Sequence, residues 1–196
     1  MTLKEMKIKV LGMIEELNPD SDLLTDDPDI SAKINDIINQ VMFEVARMKK
    51  IPDYVELEVT SGALVRFDDI TTETGYKVYQ LGTIKGVDYE LKANGTIIKA
   101  LEDGVLEIDY FKYPKPVTKP IEIELEDGTT VTEEYVFELS EDALEIMPYG
   151  IAGDLLKSDV SANYGQIYSN RYETMLQRLD PRYSMGSFSV EGGIDV

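Results

Sequence analysis

Residues 30–59 read ISAKINDIINQVMFEVARMKKIPDYVELEV, and the spacing of the apolar residues changes within this stretch. Up to Met48 they recur every three or four positions, which is the spacing of one face of an α-helix. From Asp53 onward apolar and acidic residues alternate, which is typical of a β-strand with one face in water. The stretch predicts a helix that ends near Pro52 and leads directly into a β-region.

Helical spacing also precedes this stretch. A first helix is predicted from Leu3 to Leu17, and Asn18-Pro19 would stop it. The second helix, which contains the quoted stretch, is predicted to begin at Asp27-Pro28. Aspartate is a favourable cap for a helix N-terminus, and proline fits the first helical turn.

Two more helices are predicted near the C-terminus. Ser140 is a suitable cap for the first of them, and Pro148 inside it predicts a kink or the start of another segment. The last helix is predicted to begin at Asp159 or Ser161 and to end at Asp180-Pro181. Its packed face would consist of Tyr164, Ile167, Tyr168, Tyr172, Met175, Leu176 and Leu179.

Between these helix pairs the sequence predicts short antiparallel strands joined by turns. Alternation of apolar and polar residues is clearest around Val55, Leu106, Ile121 and Tyr135. Turns are predicted at the hairpin dipeptides Asn94-Gly95 and Asp127-Gly128 and at a third candidate, Asp103-Gly104. Short strands with regular turns favour a small sandwich or an open barrel.

We therefore predict an α+β fold in which four helices pack together as one scaffold, because each helix has an apolar stripe to cover. Residues 1–52 and 140–180 would form this scaffold, residues 53–139 an antiparallel β-sandwich or barrel-like insertion between helices two and three, and residues 181–196 an extended tail. The residues expected to pack the scaffold are Ile34, Ile38, Val41, Val45, Leu144, Ile151, Leu155, Tyr168, Tyr172 and Leu176.

The amino-acid composition limits the classes of function that are open to this protein. The 196 residues suggest a single domain, and 19 basic against 38 acidic residues give a net charge of −19. Such a charge disfavours tight binding of nucleic acid or of an anionic membrane. With neither cysteine nor histidine, thiol and imidazole catalysis and thiolate or imidazole metal sites are excluded. Without a long apolar run or a leader, we expect a soluble protein that stays where it is made.

Carboxylates are the main remaining chemistry. Asn18, Asp20 and Asp22 have the spacing of the first three ligands of an EF-hand calcium loop, and Asp29 falls at the twelfth position. Leu23, however, stands where that loop needs glycine, so helix caps and turns explain these residues better. A pair of hydrolytic carboxylates stays open because 38 acids offer many pairs. We expect a protein that is not an enzyme and that needs no cofactor or metal.

Three stretches carry a family resemblance. They are the helices Thr2 to Leu17 and Asp29 to Lys49, the strand Ile108 to Pro114, and the closing half Phe137 to Leu179. The closing half contains an acidic helix start, the Met147-Pro-Tyr-Gly150 sequence and a tyrosine-bearing last helix. These stretches resemble the head–tail connector (adaptor) proteins of tailed bacteriophages, including the podovirus-type tubular adaptors that carry a β insertion.

The resemblance implies a virion structural protein of the phage neck, made in the cytoplasm of the host bacterium. It implies a homo-oligomeric ring, commonly dodecameric, docked between the portal protein and a downstream tail or tail-completion protein. DNA would pass through the ring without being held tightly. C-terminal residues of such proteins dock to the portal, and here the corresponding residues are Arg182, Tyr183, Met185, Phe188 and Val190.

Two other functions stay open from the residues alone. The β-region would be a carbohydrate- or receptor-binding module of a phage or bacterial surface assembly if Tyr76, Tyr79 and Tyr89 were exposed on one sheet face. A carboxylate hydrolase would instead require two acids held together in a pocket.

Overall fold

The computed structural model describes residues 1–118, 121–124, 130–158 and 162–179. Within these residues the fold is α+β, as predicted, with five α-helices, two three-stranded antiparallel sheets and one two-stranded antiparallel pair. The helices are α1 (Leu3–Met13), α2 (Pro28–Lys49), α3 (Phe67–Thr74), α4 (Glu141–Leu155) and α5 (Ala162–Arg178).

The first two helices begin at side-chain caps. The Thr2 side chain accepts from the backbone N–H of Glu5, and the Glu5 carboxylate accepts from the N–H of Thr2. At α2, Asp27 accepts from the N–H groups of Asp29 and Ile30, as its position before Pro28 predicts. Helix α1 ends at Met13, four residues before the predicted end, because the chain turns through Glu15 at a φ of +61°.

Helix α4 runs without a break through Pro148, so no new segment begins there. Proline has no N–H to donate to the carbonyl of Leu144, yet the helix continues through Pro148, which is buried. The predicted starts of the last helix, Asp159 and Ser161, lie outside the described residues, and α5 is described from Ala162.

The described strands pair only in antiparallel fashion. They are β1 (Ile51–Val59), β2 (Leu64–Arg66), β3 (Val78–Gly86), β4 (Tyr89–Lys92), β5 (Ile97–Ala100), β6 (Gly104–Lys112), β7 (Ile121–Glu124) and β8 (Thr130–Glu133). One sheet has the order β1-β6-β3, a second has the order β2-β5-β4, and β7 pairs with β8. The strands of the described part of the chain do not close into a barrel.

The predicted turns have different roles. Asn94 and Gly95 both have positive φ and connect β4 to its partner β5, as a hairpin turn should. Asp103-Gly104 instead leads from β5 into β6 of the other sheet, so it does not close a hairpin. Asp127-Gly128 lies outside the described residues, between the paired strands β7 and β8.

Buried side chains form two hydrophobic clusters. The helical cluster draws on α1, α2, α4 and α5 and also includes Val117, Phe137 and Leu139. The β cluster comes from residues 55–110 and joins the two three-stranded sheets, with Ile98 and Ile108 at its centre. The described members of the β cluster end at Tyr110, whereas Phe137 and Leu139 belong to the helical cluster.

Strands β1 and β6 connect the two clusters. Ile51, directly after α2, pairs with Lys112 at the end of β6, and the pairing continues to Val59 opposite Gly104. The chain thus leaves and re-enters the helical part at neighbouring positions. We call this pair of nine-residue strands the stem.

Candidate assembly surfaces

Most residues predicted to pack the helical scaffold lie in the helical cluster. The buried ones are Ile34, Ile38, Val41, Val45, Leu144, Ile151, Tyr172 and Leu176. Leu155 is partly buried against this cluster. Tyr168 is also half-buried, and its hydroxyl donates to the backbone oxygen of Met13 over 2.8 Å. This bond connects α5 to the end of α1.

Helices α4 and α5 approach each other closely because glycines lie between them. A Cβ at Gly153 would lie 2.5 Å from the Ser169 side-chain oxygen, and one at Gly165 would lie 3.0 Å from the Leu156 Cβ. At Gly150 the nearest atom would be in the Tyr172 ring, at 2.9 Å. The hydroxyl of Tyr172 donates to Glu44 of α2 over 2.8 Å. Burial, and then this hydrogen bond, raise the pKa of Tyr172 well above its ordinary value.

The first half of α5 presents apolar side chains to solvent. Tyr164 and Ile167, which were predicted to lie on the packed stripe, are 65% and 61% exposed. Residues 162–170 contain no charged side chain, although 29% of the whole chain is charged. We call this surface the α5 face. Uncharged surfaces with exposed tyrosine are typical of the centres of protein interfaces.

A groove with a volume of about 1380 Å³ runs between α1 and α2. Residues 17–24 border one part of it, and residues near Lys115 and Val136 border another. Three exposed apolar residues line it, namely Ile8, Leu23 and Val136. Its charged lining is nearly balanced, with the bases Lys4, Lys7 and Lys115 and the acids Asp20, Asp22, Glu134 and Glu138.

Two polar groups in this groove lack partners among the described residues. The side-chain oxygen of Asn35 is buried and accepts no hydrogen bond. Lys7 is half-buried, and no described carboxylate lies within ion-pair distance of it. Burial lowers the pKa of Lys7. The Lys7 ammonium is therefore a donor that a bound polypeptide could satisfy, whereas the Asn35 oxygen is enclosed by the protein itself.

The stem is fixed to the helices by aromatic and basic residues. The Tyr79 ring lies 4.8 Å from the Tyr113 ring, which in turn packs edge-on against Phe43 of α2. Tyr79 donates to the backbone oxygen of Ala46 over 3.2 Å, and Arg47 donates to the Tyr113 hydroxyl over 2.5 Å. These contacts hold the stem at the C-terminal end of α2.

Lys112 makes the second set of contacts at this end of the stem. Its ammonium group lies 2.9 Å from Asp53, 3.7 Å from Glu138 and 3.4 Å from the centre of the Tyr76 ring. Burial is the largest single influence on Asp53 and acts to raise its pKa. The hydrogen bonds from Lys112 and from the backbone of Tyr54, together with the positive charge of Lys112, outweigh burial, and the net pKa is lowered. Burial likewise acts to lower the pKa of Lys112, but the hydrogen bond to Asp53 and the negative charges of Asp53 and Glu138 together raise it.

The solvent face of the stem is acidic. Glu56 and Glu107 lie directly opposite each other on β1 and β6, and Glu58 and Asp109 extend the same exposed face. Tyr54 donates to Glu56, and this hydrogen bond raises the pKa of Tyr54 to about 12. Like charges placed directly opposite each other destabilise a strand pair, so this face carries a cost to stability.

The acidic loop from Asn18 to Asp29, which has part of the EF-hand spacing, forms the hydrogen bonds of turns and of a helix cap. The Asn18 side chain donates to Asp26 over 2.7 Å and accepts from the N–H of Asp20 over 3.0 Å, while Asp27 caps α2. Among the described residues, no three His, Cys, Asp or Glu side chains lie close enough together to bind a metal ion.

The remaining candidate residues are dispersed. Tyr79 lies on β3 and Tyr89 on β4 of the other sheet, while Tyr76 packs beneath Lys112, so the three do not share one exposed face. Asp53, Glu90 and Asp142, the described carboxyls with resolved shifts, all have lowered pKa values. The predicted portal-docking residues, Arg182, Tyr183, Met185, Phe188 and Val190, lie outside the described residues.

Comparisons with known proteins add no identification. No family model matches the chain, and no curated protein sequence matches it significantly. Within the described residues, no helix combines the length and the apolar character needed to cross a membrane.

Proposed function

We propose that this chain is a virion structural protein, a head-to-tail adaptor that forms a ring between the portal and the tail of a tailed bacteriophage. The observation that carries the proposal is the organisation of the chain. Helices from both ends contribute to one hydrophobic cluster, and the β-strands leave and rejoin it through a stem whose ends pair at Ile51 and Lys112. This agrees with the layout that the resemblance implies.

The proposal also assigns a role to each of the two parts of the fold. Helices α1, α2, α4 and α5 would form a four-helix scaffold, and the sheets on the stem would be an insertion that contacts another virion component. The contacts at Tyr79, Tyr113 and Lys112 support a stem held in a fixed direction. A rigid projection can present a docking surface at low entropic cost.

Charge supports the passage of DNA through such a ring. The chain has a net charge of −19, and the exposed face of the stem adds four carboxylates without an intervening base on β1 or β6. Acidic surfaces repel phosphate over about 8 Å at physiological salt. Surfaces of this kind would allow DNA to move past without binding it.

The portal protein encoded in the same genome provides the test. Full-length chain mixed with assembled portal should co-sediment with it through a density gradient, in a stoichiometry that matches the portal ring. Removal of residues 181–196 should abolish this association, because the predicted docking residues lie there. The control is Leu91→Ser, a change at a half-exposed residue of β4 that should leave the association intact. No association of the full chain with the portal would contradict the proposal.

A further inference from the structure

The most exposed apolar side chains of the described chain lie on two surfaces. Four large apolar residues are at least 60% exposed, and they divide equally between the α5 face and the groove. Tyr164 and Ile167 project from a helix, whereas Leu23 and Val136 line a concave surface. Both surfaces belong to the helical part of the molecule.

We propose that the α5 face of one copy of the chain docks into the groove of a second copy. The α5 face projects from a helix, whereas the groove is concave, so side chains of one surface can enter the other. The contact uses different surfaces on the two copies, so it is heterologous and leaves one free surface of each kind at every step. Repetition of such a contact produces a ring when the rotation between copies closes.

The charges of the two surfaces favour this pairing. Copies that each carry a net charge of −19 repel one another, so a stable self-contact needs surfaces without excess negative charge. Residues 162–170 have no charged side chain, and the described residues that line the groove include three lysines and four acids. The exposed face of the stem is neither uncharged nor balanced in charge, so it does not suit a contact between two copies.

Lys7 of the groove fits the same occupant. Its half-buried ammonium has no carboxylate within ion-pair distance among the described residues and needs an acceptor. Asn163 and Gln166 flank Tyr164 and Ile167 on α5 and are exposed. Their side-chain amides and the tyrosine hydroxyl supply both donors and acceptors.

This contact would be the interface between subunits of the proposed adaptor. The role of the contact in a ring rests on that proposed function. The contact itself can be tested without a portal, by sedimentation velocity over a range of concentrations. The test uses Ile167→Asp, which blocks the α5 face, and Val136→Asp, which blocks the groove. Both residues are largely exposed, so the variants should fold, as circular dichroism will check. Leu91→Asp, at another exposed apolar residue, is the matched control.

The wild-type chain and Leu91→Asp should self-associate equally. Each blocked variant alone should associate at least about tenfold more weakly, because a charge enters an apolar contact. A mixture of the two blocked variants should recover a dimer and no larger species, since it retains one intact α5 face and one intact groove. If either variant fails to fold, Tyr164→Asp and Leu23→Asp form a second pair on the same surfaces.

Three results would overturn the proposed contact. The wild-type chain could stay monomeric at every concentration, or the mixture of blocked variants could recover no dimer. Leu91→Asp could also weaken self-association as much as the blocked variants do. Rings on the portal that form equally well from Ile167→Asp would refute this contact alone. Self-association that follows the expected pattern without any portal binding would count against the adaptor function alone.

Discussion

Tyrosine hydroxyls link separate segments of this molecule. Tyr135 donates to the backbone oxygen of Lys115 over 2.6 Å, and Tyr79 donates to the backbone oxygen of Ala46. Burial is the main cause that raises the pKa of both groups from 10.0 to about 12. At both positions the folded chain therefore favours the neutral hydroxyl.

This predicts a loss of stability in alkali. The folded pKa lies above the unfolded pKa, so the contribution is fully present below pH 10 and is lost as pH rises through about 12. Urea unfolding at a series of pH values should show a falling free energy of unfolding over this range. The double variant Tyr79→Phe, Tyr135→Phe should be less stable at neutral pH, but its free energy should fall less steeply. If the free energy of unfolding fell equally steeply with pH for the wild-type chain and the double variant, the raised pKa values of Tyr79 and Tyr135 would be contradicted.

Between elements, the closest packing is that of α4 against α5. Its glycines occupy a helix although glycine is a poor helix former, because any Cβ at these positions meets the opposite helix. The tyrosine spacing on α5 predicted packing correctly for Tyr172, but not for Tyr164, which is exposed. The apolar stripe alone does not show where the partner helix ends.

Gly153→Ala should therefore destabilise the protein. The new methyl group would lie 2.5 Å from the Ser169 oxygen and 3.1 Å from its backbone nitrogen, which should cost about 1–3 kcal/mol of unfolding free energy. Gly12→Ala in α1 is the matched control, since no atom lies within 4 Å of its new Cβ. That change should stabilise the chain by up to about 1 kcal/mol. Chemical denaturation measures both, and similar effects of the two changes would refute the close packing.

Local signals in the sequence predicted some elements and not others. The period of α2 and the Asp27-Pro28 cap identified that helix, because both depend on residues close together in the chain. Helix α3 was not predicted, since it is only eight residues long and its large apolar residues are just Phe67 and Ile70. Phe137 and Leu139 alternate with exposed residues as a strand would, but only Val136 forms a bridge, with Thr2.

Across the whole molecule, the candidate surfaces were harder to predict than the helices. The groove is lined by α1, by residues 17–24, by the start of α2 and by residues near Val136, which are distant in sequence. No spacing rule connects them. One feature of the sequence indicates the α5 face, namely the absence of charged residues from 162–170 in a highly charged chain.

The two hydrophobic clusters should respond separately to mutation. Ile38→Ala and Ile98→Ala each remove a fully or nearly fully buried side chain, and each should cost about 2–5 kcal/mol locally. Native-state hydrogen exchange should show faster exchange within residues 51–112 for Ile98→Ala, with α2 and α4 still protected. Ile38→Ala should instead accelerate exchange in α2 and α4. Uniform acceleration across the chain by Ile98→Ala would show that the two clusters unfold as one.

Electron microscopy of the full chain bound to its portal tests the central claim most directly. We expect a closed ring stacked on the portal, with the helices forming the body of the ring and the stems projecting from it. Single copies scattered on the grid, or portals with no additional ring, would contradict it.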